Sequence, residues 1–462
     1  MIRVVLFGLA ICWMTPGAVQ AHASEQGFVL LLPTDVYITA GVAAVALTVL
    51  VLALVPGELA HRMFTPRALW RRGRVAPAHV TSCLSALVVI ALVLAGIYGR
   101  RDPLSNPLPL SVWIVWWIGM VTVQGLVWNH WRWSNPWTGP AALMARLTGE
   151  RAPLRYPAAL GHAPGIVGFL AFCGFLLADP APLDPTRLAG IVGGYWLLML
   201  GGLALFGPRW LLRAEAVTML MRLYGRMAVL GRRRGRLALG LPGWQIAGGP
   251  RLPLGAGLFA LLLLGGGSFD GLNETFWWLA RLGINPLEFP GRSAVVTPTL
   301  IGLLGANAAL ISVFVLCTWV GVRLAGGGVS LITALRAYAP AILPIALGYH
   351  IAHYLVSLLV DGQYVLAWLS DPLGRGWDIL RLGAYSVSTG FLNTPATVKV
   401  IWLTQAGAVV IGHVIAILLA HVLALRFYRH RRQAVLSQLP LAVFMVAFTC
   451  FGLWLLASPR GM

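Results

Sequence analysis

Four histidines lie in long apolar stretches, where an imidazole serves best as a metal ligand or a proton acceptor. His350 and His353 are three residues apart, which places both on one face of a helix and lets them bind one metal ion. His413 and His421 are eight residues apart, roughly 12 Å along a helix, so they share a face without sharing an ion. All four are candidate metal ligands.

Two of these histidines lie at a similar depth in their predicted spans. His350 and His413 are each about twelve residues, or roughly 18 Å, from the arginine-rich ends of those spans. The pattern predicts a divalent metal site, zinc or copper, formed by His350, His353 and His413. Two alternatives stay open: haem b with His353 and His413 as axial ligands, and histidines that only hydrogen-bond to neighbouring helices.

Carboxylates follow the His350/His353 helix at its outer end. Asp361, Asp371 and Asp378 are candidate catalytic groups that could bind a metal, relay protons or cap turns. Asp270, at the end of another apolar run, is predicted to form a turn. His22 would offer an amine and an imidazole to copper if it became the mature N-terminus.

The elements that position these residues are transmembrane helices. The chain is 58% hydrophobic and only 10% charged, far below the roughly 25% charged residues of soluble domains. Runs of about 20 apolar residues, the length that crosses a bilayer, recur between Arg-rich or Pro-rich breaks. We predict an all-α polytopic membrane protein with ten spans, near 35–55, 81–98, 110–130, 157–178, 186–206, 252–269, 297–319, 338–360, 398–425 and 438–457.

The first 21 residues have the pattern of a cleavable signal peptide, with one early arginine, an apolar stretch and a small-residue end. Cleavage after Ala21 would expose His22, whereas cleavage after Ala23 would remove it. Residues 22–462 are predicted to form one helical membrane domain, with a basic inner segment at 207–251 and long outer loops at 270–296 and 361–397.

Basic residues are distributed very unequally between the two sides of these spans. The predicted inner segments hold 24 Lys and Arg against 3 Asp and Glu, and the outer ones hold 9 against 11. The positive-inside rule therefore predicts a bacterial inner membrane protein with both mature termini outside. Topology explains the formal charge of +20 without nucleic acid, and the expected partners are the bilayer, anionic lipid headgroups at the inner face and a second membrane subunit.

Several short motifs resemble a bacterial membrane family commonly named fenitrothion hydrolase. They lie mostly in the C-terminal half: Ser268-Phe-Asp-Gly271, Asn285-Pro-Leu-Glu-Phe-Pro-Gly-Arg-Ser293, Ala352-His-Tyr354, Gly362-Gln363, Ser370-Asp-Pro-Leu-Gly374, Gly376-Trp-Asp378, Gly412-His413 and Ala420-His421. The chain departs from the family pattern at Asp361, where members carry Gln or a similar residue, and at Val422, where they carry an acid.

The resemblance implies a membrane hydrolase of organophosphate triesters. A His-bound divalent metal would supply a nucleophilic water and stabilise charge on the phosphoryl oxygen. Two other functions remain compatible with the residues: a metal (copper) transport or handling protein, and a haem-binding membrane electron carrier.

Overall fold

Ten apolar helices organise the chain in the computed structural model, which describes residues 29–54, 57–71, 78–149, 152–285, 291–383 and 387–460. In these ranges nine helices are long and apolar enough to cross a membrane, and a tenth, Ala163–Ala178, has 16 residues. The prediction of an all-α polytopic membrane protein is confirmed. The predicted signal peptide and His22 lie outside the described residues.

The bounds of the ten helices agree with the predicted spans to within ten residues, and most differ by five or fewer. They are α1 (Thr34–Leu54), α2 (Ala78–Tyr98), α3 (Pro107–Leu126), α4 (Ala163–Ala178), α5 (Pro185–Phe206), α6 (Leu254–Asn273), α7 (Val296–Leu324), α8 (Leu343–Ser370), α9 (Pro395–Ala424) and α10 (Arg431–Ala457). Helices form because backbone N–H and C=O groups in lipid must bond within their own segment.

Short elements connect these helices. At the arginine-rich end they are the helices Gly57–Met63, Trp131–Ser134, Thr138–Thr148, Pro208–Arg213, Ala216–Tyr224, Trp244–Ala247 and Leu331–Tyr338, and the 3-10 turns Ala158–Leu160 and Ala339–Ile342. At the opposite end they are the helix Phe276–Arg281 and the 3-10 turns Arg292–Ala294 and Gly390–Asn393.

A small antiparallel sheet also lies at the arginine-rich end. Its strands are β1 (Arg67–Arg71), β2 (Leu230–Arg233) and β3 (Arg236–Leu239), in the order β1-β3-β2. The predicted basic segment 207–251 therefore contains helices and a hairpin that pairs with the chain after α1.

Helices α6, α8 and α9 form the centre of the bundle. In α6 78% of the apolar window is buried inside the protein, compared with 11% in α1, so α1 is peripheral and leaves most of its surface to lipid. Helix α8 packs against α9, α3 and α6.

Two glycines bring α8 and α9 into backbone contact. A Cβ on Gly348 would lie 2.5 Å from the carbonyl oxygen of Ala408, and one on Gly412 would lie 2.6 Å from that of Pro344. Small residues that let backbones approach are typical of helix contacts in membranes. This contact fixes which face of each helix meets the other.

Candidate functional site

A buried ion pair links the two central helices α6 and α8. His353 Nε2 lies 3.2 Å from Asp270 Oδ2, and the two side chains are only 13% and 9% exposed. The hydroxyl of Tyr354 donates to the same Asp270 oxygen at 2.5 Å. Because ionisable groups inside a membrane domain are costly to keep, a pair of this kind is a functional candidate.

The polar network continues toward the C-terminal end of α6. Glu274 follows Asp270 by four residues, so both lie on the same side of the helix, and Arg460 Nη1 approaches Glu274 Oε2 at 3.8 Å. Burial raises the pKa of Glu274, and the nearby charge of Asp270 adds to that rise, although His353 and Arg460 oppose it. The backbone N–H of Phe276 donates to the carbonyl of Pro459 at 3.0 Å, which fixes the C-terminal segment over this network.

A small cavity adjoins the ion pair. Its volume is about 30 Å³, and its lining includes Asp270, His350 and His353 together with aromatic rings of α3 and α4. A cavity of this size holds roughly two water molecules, since each needs about 10–15 Å³ of probe volume. The arrangement therefore places water-sized space beside a paired imidazole.

The aromatic side chain of Trp117, from α3, lines that cavity. Residues Leu110–Met120 of α3 are π-helical, a wider winding that is frequent at functional sites. From this segment Trp117 packs edge-on against His350, with ring centroids 5.1 Å apart, and lies 6.0 Å from the ring of Tyr354. Rings of this kind exclude bulk water from the ion pair.

The three histidines predicted to share one metal ion do not form a cluster in the part of the chain that the structure describes. No group of three or more His, Cys, Asp and Glu side chains there is placed to hold a metal ion. His353 pairs with Asp270 and His350 packs on α3. His413 packs between the rings of Tyr349 and Phe448, with centroids 6.4 Å from each.

The reason is rotation about the helix axis. Gly348 faces α9, and at 100° per residue His350 and His353 are turned about 200° and 140° from it. His413, next to Gly412, is also turned away from the contact, toward α10. Similar depth therefore does not bring these side chains together.

The remaining histidines make separate contacts. His413 Nδ1 bonds to the carbonyl of Val409 at 2.9 Å, and His421 Nδ1 lies 2.6 Å from Gln438 Nε2. The Nε2 atoms of His350, His413 and His421 are buried, and none has a hydrogen-bond partner within the described residues. These nitrogens are ligand-type atoms, although they do not converge.

Two of the three predicted catalytic carboxylates stabilise turns. Asp371 accepts hydrogen bonds from the N–H groups of Arg375 and Gly376 at 2.8 and 2.9 Å. Asp378 accepts from Leu382 and Gly383 at 2.7 and 3.0 Å, and also from the Ser370 hydroxyl at 2.9 Å.

Backbone N–H groups also determine the ionisation of these two carboxyls. Desolvation is the largest single influence at Asp371 and opposes the shift, but hydrogen bonds from the backbone N–H groups of Gly376 and Arg375 together lower its pKa. Bonds from Gly383 and Leu382 lower the pKa of Asp378. Asp371 and Asp378 therefore cap turns, which is one of the roles predicted for them, and they do not belong to the buried site.

Distance along α8 separates the predicted carboxylates from the ion pair. Helix α8 continues to Ser370, so Asp361 lies within the helix and the outer loop begins ten residues later than its predicted start at 361. Asp361 and Asp371 are then roughly 12 and 27 Å beyond His353 along the axis. None of the three lines the cavity beside the ion pair.

Asp270 is the residue that sequence reasoning missed. It was predicted to form a turn, whereas it lies inside α6 and is buried against His353 and Tyr354. The sequence offered one signal for this contact: an acid, Asp270, three residues before the end of α6, and a tyrosine, Tyr354, directly after a histidine.

No family model, no curated protein and no solved structure matches the chain.

Proposed function

We propose that this membrane protein is a hydrolase in which Asp270 and His353 activate water against lipid-soluble esters, with organophosphate triesters as the substrate class. The observation that carries the proposal is the ion pair between His353 and Asp270 beside a water-sized cavity. The resemblance to the fenitrothion hydrolase family supports the substrate class.

The pairing assigns a role to each nitrogen of His353. If Nε2–H donates to Asp270, Nδ1 carries the lone pair and accepts a proton from water. Asp270 then holds the ring in that tautomer and stabilises the imidazolium that forms, as carboxylates do in other hydrolases. A positioned base of this kind contributes about 10²- to 10⁴-fold to a rate.

The hydrolytic step exchanges one bond at phosphorus for another. The water oxygen forms a bond to phosphorus, the bond from phosphorus to the leaving oxygen breaks, and His353 takes the proton of the water. The ring of His350 lines the same cavity and would lie beside the bound ester. A triester is larger than the cavity of about 30 Å³, so binding requires the rings of Trp117 and Phe169 to move aside.

The test is hydrolysis of a nitrophenyl dialkyl phosphate by the full-length protein in vesicles. We expect His353→Gln to lower kcat about 10²- to 10⁴-fold. His430→Gln is the control, because His430 is exposed and lies at the arginine-rich end. Equal rates for the wild type and His353→Gln would contradict the proposal.

A second candidate function, metal or haem binding, is favoured by one observation. Three buried imidazole nitrogens, those of His350, His413 and His421, lack a partner in the described residues. Zinc or copper would be found by elemental analysis of the purified protein, and haem b by a Soret band. His413→Ala should lower the metal or haem content, and unchanged content would contradict this function.

A further inference from the structure

A second cavity lies at the arginine-rich end of the bundle. It has a volume of about 280 Å³, close to the lower limit of roughly 300 Å³ for small-molecule pockets. Buried apolar side chains form its inner part, whereas Arg251 and Arg426 are exposed at its rim. It therefore combines an apolar interior with a cationic opening.

Three arginines from different elements donate to one short backbone segment, residues 249–252, and a fourth, Arg251, lies within that segment. Arg426 Nη1 donates to the carbonyl of Gly249 at 3.1 Å, and Arg226 Nη2 donates to that of Pro250 at 3.3 Å. Arg336 Nε donates to the carbonyl of Leu252 at 2.9 Å, and the guanidinium of Arg251 lies 4.4 Å from the ring centroid of Phe427.

These guanidinium groups keep most of their hydrogen-bonding capacity. Each has five N–H donors, and the contacts to residues 249–252 use one donor from each of Arg226, Arg336 and Arg426. Backbone carbonyls position the side chains but neutralise no charge. The donors that remain can bind an anion that carries several oxygens.

Carboxylates do not compensate this charge in the part of the chain that the structure describes. None of the four arginines has an Asp or Glu oxygen within 4.0 Å there. Glu215, an acid at this end, is buried and accepts from the N–H groups of Val217 and Thr218. Burial, together with the charge of Arg222, lowers the pKa of Arg226, and an anion nearby would oppose that repulsion.

We propose that this cavity binds a phosphate group, with Arg251 and Arg426 as its direct ligands and Arg226 and Arg336 as supporting charges. Arginine matches phosphate oxygens in a planar, bidentate geometry. The apolar interior, which includes Leu423 and Phe427, suits the glycerol and acyl portion of an anionic phospholipid. The same chemistry would bind a soluble phosphate, and the experiment separates these two sources.

The rival explanation is that the arginines only orient the chain in the membrane. Orientation requires positive charge near the surface but no cavity and no convergence on one segment. Arg323 provides a matched control: it is exposed at the same end of the bundle and lies 5.5 Å from the ring centroid of Trp319, outside the cavity.

The experiment titrates the purified full-length protein in neutral detergent and follows its thermal unfolding by tryptophan fluorescence. The two probes are dioctanoyl phosphatidylglycerol and inorganic phosphate. We expect Arg251→Gln and Arg426→Gln each to weaken phosphatidylglycerol binding about 5-fold, and Arg323→Gln to leave it unchanged. Inorganic phosphate that competes at similar concentrations would identify a soluble phosphate as the ligand.

Ala337→Leu provides a second variant that keeps every charge. Ala337 is buried and lines the cavity, so the larger side chain should fill it and reduce binding of either probe. Equal binding by wild type, Arg251→Gln, Arg426→Gln and Ala337→Leu would overturn the site. An equal loss in Arg323→Gln would also overturn it, since binding would then follow surface charge alone.

Discussion

Replacing Asp270 with Asn tests the buried ion pair directly. The two side chains have nearly the same shape, so the change removes charge without opening a cavity. Two donors converge on Asp270 Oδ2, from Tyr354 at 2.5 Å and from His353 at 3.2 Å. A hydrogen bond to a charged group contributes roughly 1 kcal/mol more than a neutral one, so Asp270→Asn should lower the free energy of unfolding by about 2 kcal/mol.

The same substitution should affect activity more strongly than stability. An Asn amide donates a hydrogen bond to His353 Nε2, which places the ring proton on Nδ1 and removes the base that faces water. The expected loss in kcat is about 10⁴-fold, by analogy with the loss of the tautomer-fixing carboxylate in a catalytic triad. Release of nitrophenol from a phosphotriester in vesicles measures the rate, and chemical denaturation in detergent measures the stability.

Asp179→Asn is the matched control for Asp270→Asn. Asp179 also pairs with a cation, Arg187, at 2.6 Å, but the Arg187 side chain is 53% exposed. Asp179 itself is only 10% exposed, but a pair whose cation reaches solvent contributes about 0–1 kcal/mol, so the rate should stay close to wild type and the stability should fall by less than in Asp270→Asn. If Asp270→Asn behaved like Asp179→Asn in both assays, the assigned role of the buried pair would be refuted.

Three further predictions concern packing, the outer loop and orientation. Gly412→Val should separate α8 from α9, because even a Cβ at Gly412 would lie 2.6 Å from a backbone carbonyl of α8. The free energy of unfolding should fall by more than 2 kcal/mol, about the cost of an overpacked core. Chemical denaturation measures the loss, and wild-type stability would contradict this contact. The lowered pKa values of Asp371 and Asp378 stabilise the loop after α8 above the unfolded Asp value of about 3.9. Protection of its amides from hydrogen exchange, measured relative to the intrinsic rate of an unstructured peptide at each pH, should therefore fall as the pH drops below that value and should stay constant at higher pH. Cysteines that replace Arg236 and Trp377, both exposed, should react differently with an impermeant reagent outside the cell: only position 377 should be labelled, and the reverse result would invert the predicted topology.

Helix number and approximate bounds followed from sequence because they depend on local composition. An apolar run of about 20 residues crosses a bilayer almost wherever it occurs, and each predicted span matches a helix of the structure. The largest differences in bounds occur where polar residues extend a helix beyond its apolar run. Helix α8, for instance, continues past Asp361 to Ser370, because a helix can project beyond the hydrocarbon layer.

The site itself depends on rotation between helices, which one sequence does not specify. His350 and His413 both lie in apolar spans at the same predicted depth. The glycine contact at Gly348 nevertheless turns these two imidazoles to different neighbours. Asp270 was misassigned for a related reason. An acid near a helix end is typical of a turn, and only the packing of α6 on α8 reveals its partner His353.

The buried pair is poorly explained by stability alone. Transfer of the Asp270 charge into a low-dielectric interior, and of an imidazolium charge whenever His353 is protonated, costs several kcal/mol per ion, and apolar side chains of similar volume are often equally stabilising or better. In a membrane domain that cost is higher still, because lipid offers no hydrogen bonds to Asp270, His353 or Tyr354. A chain that needed only packing at this contact would therefore carry Leu or Phe there, as it does elsewhere in α6. The position of the pair beside a water-sized cavity is the arrangement that the proposed role in proton transfer requires.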